Sequence, residues 1–407
     1  MRVTTVVLGD LGRSPRMQYH AEALAAHQVD VDVVACGGSA VHADLRIHPR
    51  ITCHLLPPAR ERSLPRGLLL PAAIWKAVVQ ALWLVWMFMA VLRKPDVILV
   101  QNPPAIPTLL VVLTAARLRG ARLVVDWHNL AWAVLALGIG ARHPAVALAR
   151  WYEGVLGRRA DAHLCVSDAL AAELARWGMR SVTVLRDRPA GRFTPLDATD
   201  RAAVRRRLLD PLGLTARGPA IIVSPTSWTR DEDFELLLEA VRRCEALVEG
   251  RAFPDVLVLL TGRGWRRADF EAKAAALPNR RIHARTAWLE PDDYPRVVAA
   301  ADLGLCLHRS ASGLDLPMKI ADMHGAGLPV CALDYGPCLD EMLRHDDTGL
   351  RFADAETLAR QWVALLATFP DATPDLDRLR ANVEKARGTT WRAGWETEAR
   401  EILLAHA

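Results

Sequence analysis

The chain has 407 residues, 51% hydrophobic and 24% charged, which excludes a disordered chain and leaves length for two domains with sizeable cores. A net charge of +5 suits a phosphate-bearing ligand or an anionic membrane surface, but it is too small to point to nucleic acid. The seven cysteines are scattered with no CxxC pair, so neither a zinc site nor a disulfide framework is expected.

Residues 2–8 form a short β-branched run that reads as a buried strand; it is too short for a signal peptide. A helix follows, with Met17, Ala21, Leu24 and Ala25 on one face. Further strands are expected at 31–36, 51–56, 96–101, 122–127 and 162–167. Between Arg66 and Arg93 the one charged residue is Lys76, and the rest is almost wholly apolar, with Trp75, Trp83 and Trp86. That length reaches across a bilayer. The Pro71 interruption and the surrounding α/β pattern favour a helix that packs with one face and dips into lipid with the other, over a buried helix or a true span. Prolines, glycines and charge at 191–219 mark a connection. A second series of strands is expected at 220–224, 255–261, 281–284, 302–307, 329–333 and 349–352. Helices near 232–248, 268–276, 292–300, 317–326 and 355–368 separate them. This alternation predicts two Rossmann-like, doubly wound parallel-sheet domains facing a cleft, at 1–190 and 220–388. A final helix at 389–407 is expected to cross back to the first domain.

In such sheets ligands bind beyond the carboxyl ends of the strands. In the first half the loop Gly9-Asp10-Leu11-Gly12-Arg13-Ser14-Pro15-Arg16 offers a helix start with two arginines, an anion site in outline. It is not a GxGxxG fingerprint. Asp126-Trp127-His128-Asn129 supplies groups for acid–base work or sugar binding; Glu153 is expected to pair with Arg158 or Arg159. In the second half Thr226-Ser227-Trp228-Thr229 runs into Asp231-Glu232-Asp233, whose charges suit a helix start better than a metal site. Gly262-Arg263-Gly264 suits a phosphate approached by backbone, and Trp288 a nucleotide base. The stretch His308 to Lys319, with Ser312, Gly313, Leu314 and Asp315, continues to Asp322. Lys319 and Asp322 share a helix face, one placed for a diphosphate and the other for ribose hydroxyls, or simply paired with each other.

These motifs, in this order, closely resemble glycosyltransferase family 33, the chitobiosyldiphosphodolichol beta-mannosyltransferases, from residue 1 to about 385. They are the 9–20 loop, Asp126–Asn129, Thr226–Phe234 and Ser312–Lys319. The resemblance implies a GT-B fold and an inverting transfer of mannose from GDP-mannose, with no obligatory cofactor or metal. It also implies a lipid-diphosphate-linked saccharide acceptor and work at the cytoplasmic face of a membrane approached by 66–93. On the matching positions, Arg263, Lys319 and Asp322 would serve the donor, with Thr226, Ser227, Trp228, Trp288 and the 308–315 loop around it. Gly12, Arg13, Ser14 and Arg16 would face the acceptor diphosphate. Asp126 is the first choice of general base, His128 the second and Asp10 the third. The chain departs from eukaryotic members in opening on the first strand without an anchor, in Arg263 where they carry Lys, and in Arg230 where they carry Pro. The carboxylate pair of the large retaining families is incomplete, since Leu314 stands eight residues before Asp322. A GT-B glycosyltransferase using a UDP-sugar donor is the alternative.

Overall fold

A computed structural model describes residues 1–57, 69–214, 218–278 and 280–405. Arg66, at the head of the apolar stretch, lies outside them, as do parts of the 191–219 and 389–407 ranges. The chain forms two compact units, Met1–Arg186 with Arg392–Ala407, and Asp187–Trp391.

The first unit holds seven strands: β1 (Arg2–Asp10), β2 (Asp30–Cys36), β3 (Ile51–Leu56), β4 (Val97–Asn102), β5 (Arg122–Trp127), β6 (Ala162–Cys165) and β7 (Val182–Val184). All pair in parallel, in the order β3-β2-β1-β4-β5-β6-β7. The central strands β4 and β5 carry continuous apolar runs, Val97–Val100 and Leu123–Val125, as expected of strands covered on both faces. The direction of winding reverses between β1 and β4. The helix Leu69–Trp86 crosses that reversal from β3 to β4, and Thr108–Arg119 and Pro144–Gly157 lead on from β4 to β5 and from β5 to β6. With right-handed crossovers they lie together on one face of the sheet, where the first packs on the second and the second on the third.

The first of these helices continues through a π-turn, Met87–Val91. Among the described residues it is the one helix whose length and composition would allow it to cross a membrane, and only 22% of Ile74–Val91 is buried. The alternative of an ordinary buried helix is therefore overturned: Leu84, Met87 and Phe88 hold it to the domain while Trp75, Leu82 and Trp86 stand outside.

The second unit holds β8 (Ala220–Pro225), β9 (Val256–Thr261), β10 (Ile282–Ala287), β11 (Leu303–Cys306), β12 (Val330–Leu333) and β13 (Gly349–Phe352), all parallel, in the order β10-β9-β8-β11-β12-β13. Two apolar clusters sandwich this sheet. One contains Trp228, Phe234, Phe270 and Trp362, the other Val297, Ile320 and Met323. Helix starts carry side-chain caps: Asp233 accepts from Leu236 N at 3.0 Å and Asp354 from Thr357 N at 2.7 Å.

The expected connection at 191–219 is not a plain linker. Asp197 caps a helix, Ala198–Leu209, whose Arg201 and Arg205 reach the buried carboxylate of Asp302 at 2.5 and 2.7 Å. Asp302 also accepts Ile221 N at 2.8 Å, so this charged helix is pinned to the ends of β8 and β11. Its charge, which resembles a solvated linker in sequence, is largely paired: Arg201 and Arg205 with Asp302, Arg207 with Asp293 and Asp200 with Arg296. Near the C-terminus, the helix Trp391–Glu398 packs within the first unit, where Trp395 Nε1 donates to His20 Nδ1 at 3.1 Å and His27 meets Glu396 at 2.8 Å.

Candidate active site

In the first unit Asp126 ends β5 and is fully buried. Its Oδ2 accepts Arg16 Nε at 2.8 Å, His20 Nε2 at 3.1 Å and His128 Nε2 at 3.2 Å; its Oδ1 accepts Arg16 Nη2 at 2.9 Å. Burial by itself raises a carboxyl, but Arg16 and then the histidines outweigh it and hold Asp126 well below the usual carboxylate range. A carboxylate so strongly stabilised in its ionised form is a poor proton acceptor. This geometry contradicts Asp126 as the base that meets the acceptor. Arg16 is corrected with it: its guanidinium is fully buried, forks onto Asp126 and reaches Leu185 O at 2.8 Å, so it does not face an acceptor diphosphate.

The tautomers follow from these partners. The indole of Trp395 can only donate, so His20 accepts at Nδ1 and donates from Nε2 to Asp126. Burial, against the pull of Asp126, lowers the His20 pKa and favours this neutral form. His128 likewise gives its Nε2–H to ionised Asp126, which leaves the lone pair on Nδ1. With 21% of its side chain exposed, His128 is the member of the cluster in touch with solvent.

The loop after β1 is more closed than its sequence suggests. Asp10 accepts Gly12 N at 3.1 Å, Ser39 N at 3.0 Å and Ser39 Oγ at 2.6 Å, so the third candidate base is a loop staple. Ser14 Oγ donates back to Asp10 O at 3.1 Å and does not cap the helix Pro15–Ala26. A Cβ on Gly12 would lie 2.5 Å from Ala40 O, which is why glycine stands there. The amides of Gly12 and Ser14 are thus spent inside the turn, whereas Arg13 is exposed. Glu153 pairs with neither Arg158 nor Arg159. It accepts Asn102 Nδ2 at 2.8 Å, Ala131 N at 2.8 Å and Trp132 N at 2.9 Å, fastening the helix Ala131–Ile139 to the end of β4.

In the second unit the winding reverses between β8 and β11, and the loops after these strands meet. His308 lies between two carboxylates, Nδ1 to Asp231 Oδ2 at 2.9 Å and Nε2 to Asp315 Oδ2 at 3.0 Å. Burial works against its charge, but the two acids prevail and raise its pKa to about 9. Lys319 pairs with the buried Glu232, whose carboxylate also takes Ser227 N at 3.0 Å and Thr229 N at 3.3 Å. Burial opposes the Lys319 charge and Glu232 outweighs it, raising the pKa. Glu232 is therefore an organiser of the site that sequence reading assigned to a helix start. A buried acid facing a lysine 87 positions away leaves no local signal.

The neighbouring loop carries Arg263, whose guanidinium lies 3.8 Å from the ring centre of Trp288. Gly262 has φ +103°, and a Cβ there would stand 2.0 Å from Thr226 O; one on Gly264 would meet Trp228. These glycines let the two loops touch. Thr226 Oγ1 donates to Thr261 O at 2.6 Å. Trp228 is corrected as a donor-lining residue: its ring is buried and stacks on Phe234 at 4.6 Å. Gly313, at φ +73°, donates its amide to Ser310 Oγ at 2.8 Å, and Ser312 Oγ accepts Leu314 N at 3.2 Å, which shapes the loop before Asp315. Asp322, one turn beyond Lys319, has different neighbours, Arg192, Asp187 and Tyr294; burial, partly opposed by Arg192, raises it to about 8. Among the described residues no cluster of three or more His, Cys, Asp or Glu is arranged to hold a metal ion.

Comparison with known proteins agrees with this architecture. A model described as a glycosyl transferase 4-like domain matches residues 12–186, and one described as glycosyl transferase-like matches 230–400. The crystal structure of a glycosyltransferase from Rickettsia africae superposes over 100% of this chain and 99% of its own, with TM-score 0.67 and 15% identity. Sucrose-phosphate synthase from Thermosynechococcus elongatus covers 98% and 97%, with TM-score 0.68 and 17% identity. These likenesses establish the fold as GT-B. In sequence, the chitobiosyldiphosphodolichol beta-mannosyltransferase of Homo sapiens is 39% identical over 97% of this chain and 90% of its own length. The UDP-glycosyltransferase TURAN of Arabidopsis thaliana is 38% identical over 99% and 97%. With two parallel α/β units, a histidine–aspartate pair at the end of β5 and a cluster of paired charges at the β8–β11 reversal, this chain belongs to the chitobiosyldiphosphodolichol beta-mannosyltransferase family of glycosyltransferases.

Proposed function

We propose that this enzyme transfers mannose from GDP-mannose to a saccharide carried on a lipid diphosphate, with inversion, at the cytoplasmic face of a membrane. The observation that carries the chemistry is the His128–Asp126 pair. In an inverting displacement the acceptor hydroxyl attacks the anomeric carbon, the bond to the GDP oxygen breaks, and one base removes the hydroxyl proton. His128 Nδ1 takes that proton, and Asp126 steadies the imidazolium that forms through the 3.2 Å contact to Nε2. The leaving diphosphate gathers negative charge as the sugar departs. Arg263, Lys319 and the charged His308 are the cations of the second unit suited to balance it, with Asp322 for the ribose and Trp288 for the base. Arg13 is the residue of the first loop suited to the acceptor diphosphate, and the apolar helix at 69–91 suits a membrane surface.

The donor is tested by thermal shift. A ligand that binds only the native state raises stability by about 2.7 kcal/mol at a hundredfold excess over its Kd. GDP-mannose and GDP are expected to raise the melting temperature, and UDP-sugars to leave it unchanged. A shift with UDP-N-acetylglucosamine or UDP-glucose and none with GDP-mannose would establish the second reading, a UDP-sugar transferase. That reading is favoured by the 38% identity to a relative named as a UDP-glycosyltransferase.

A further inference from the structure

The apolar helix at 69–91 is not alone on its side of the first unit. The helix Ala131–Ile139 has no charged residue, and Val134, Leu135, Leu137 and Ile139 are all exposed. It packs on the helix Pro144–Gly157, which exposes Leu148 and Trp151, the latter 62% accessible. That helix packs in turn on Thr108–Arg119, which exposes Leu110 and Leu118, and so the series reaches Trp75 and Leu82 on the first helix. Four adjacent helices thus turn large apolar side chains outward. Soluble monomers rarely expose so continuous an apolar patch, and a surface helix normally has a polar outer face.

Charge identifies what covers this face. Between residues 69 and 157 stand eight Lys and Arg and three acids, Asp96, Asp126 and the buried Glu153. Asp126 is enclosed in its pair with Arg16, and Asp96 is held to Arg2 N at 2.7 Å at the opposite end of the strands from the site. Lys76, Arg117, Arg142 and Arg150 are exposed on these helices, while Arg93 is exposed at the same end of the strands as Asp96. A second copy docking through this same face would bring like charges together. An anionic bilayer supplies both what the apolar side chains need and what the cations need.

We propose that the whole face, and not the 69–91 helix alone, rests on an anionic lipid surface, with Ala131–Ile139 and Trp151 as a second insertion point. This extends the reading of a lipid-borne acceptor and explains a detail of the site. The second insertion point begins three residues after His128, and Glu153 ties its first amides, Ala131 N and Trp132 N, to Asn102 beside the cluster. A diphosphate headgroup leaving the lipid at this helix therefore emerges next to the proposed base.

The test uses the full chain and vesicles of phosphatidylcholine with and without 30% phosphatidylglycerol (~30%, within the range where cationic faces respond to anionic lipid). Wild type is expected to co-sediment with the anionic vesicles. A triple variant, L135S/L137S/W151S, and a charge variant, R142E/R150E, are each expected to partition at least tenfold less, with an unchanged melting temperature in buffer. If both partition like wild type while W75S/L82S is lost, the second insertion point is refuted and the 69–91 contact stands. If wild type binds neither vesicle, both fall. A wild-type dimer in lipid-free buffer that the triple variant disperses would assign the face to a second copy and overturn the proposal. Should the triple variant fail to fold, hydrogen exchange of wild type decides: protection of 131–151 on adding anionic vesicles is expected, and unchanged exchange there refutes the idea.

Discussion

The proton transfer proposed for the first unit turns on the difference between two side chains two positions apart. Asp126 has four donors on its two oxygens and no solvent contact, whereas His128 has one partner and an open side. Replacing His128 by Ala is expected to lower kcat about 10²- to 10⁴-fold with donor affinity preserved, read by steady-state kinetics beside nucleotide titration. Asp126→Asn is expected to cost activity and also about 3–5 kcal/mol of stability, because it leaves the buried Arg16 without its countercharge. Preserved turnover in the His128 variant, with loss in Asp126→Asn alone, would return the role of base to the aspartate. In the second unit His308 provides a pH signature. Its pKa rises from 6.5 to about 9 on folding, so the native state holds the proton longer than the unfolded chain does. The stability this confers is complete below pH 6.5 and is lost as pH rises to about 9. Thermal melts from pH 6 to 10 are expected to show that decline in wild type and a weaker one in His308→Gln.

Two elements do more than their sequences announce. The C-terminal helix Trp391–Glu398 sets the His20 tautomer through a single indole N–H, and His20 in turn occupies one lone pair of Asp126. Trp395→Phe keeps the ring and removes the donor. It is expected to lower kcat several-fold with KM unchanged and to shift the acid limb of the kcat profile. An unaltered profile would mean that the helix serves packing alone. The helix Ala198–Leu209 has an opposite lesson. Asp302 gathers Arg201, Arg205 and Arg380 at 2.5, 2.7 and 3.2 Å. Its replacement by Ala is expected to destabilise the second unit by about 2 kcal/mol, measured by denaturant unfolding, since charge-assisted hydrogen bonds and a buried backbone amide lose their acceptor.

For the molecule as a whole, strand spacing, β-branched runs and turn residues placed nearly every strand within two residues, because a parallel strand buried on both faces must be locally apolar and bounded by turns. The short β7 escaped that reading: three half-buried residues carry no pattern. The helices at 131–139 and 144–157 escaped it too, since their outward apolar faces break the amphipathic rule by which surface helices are recognised. Strand–helix alternation pointed to two parallel-sheet units, and the order of the motifs pointed to the family, because each motif sits where a strand must end. Only the tertiary structure decided which side chains within the motif loops pair with one another. Arg16 meets Asp126 across 110 positions, Lys319 meets Glu232 across 87, and Trp228 turns into the core in place of the donor site. Local sequence specifies which groups reach the carboxyl ends of the strands. Which of them neutralise one another, and which stay open to a substrate, depends on burial and on partners brought together by the sheet order.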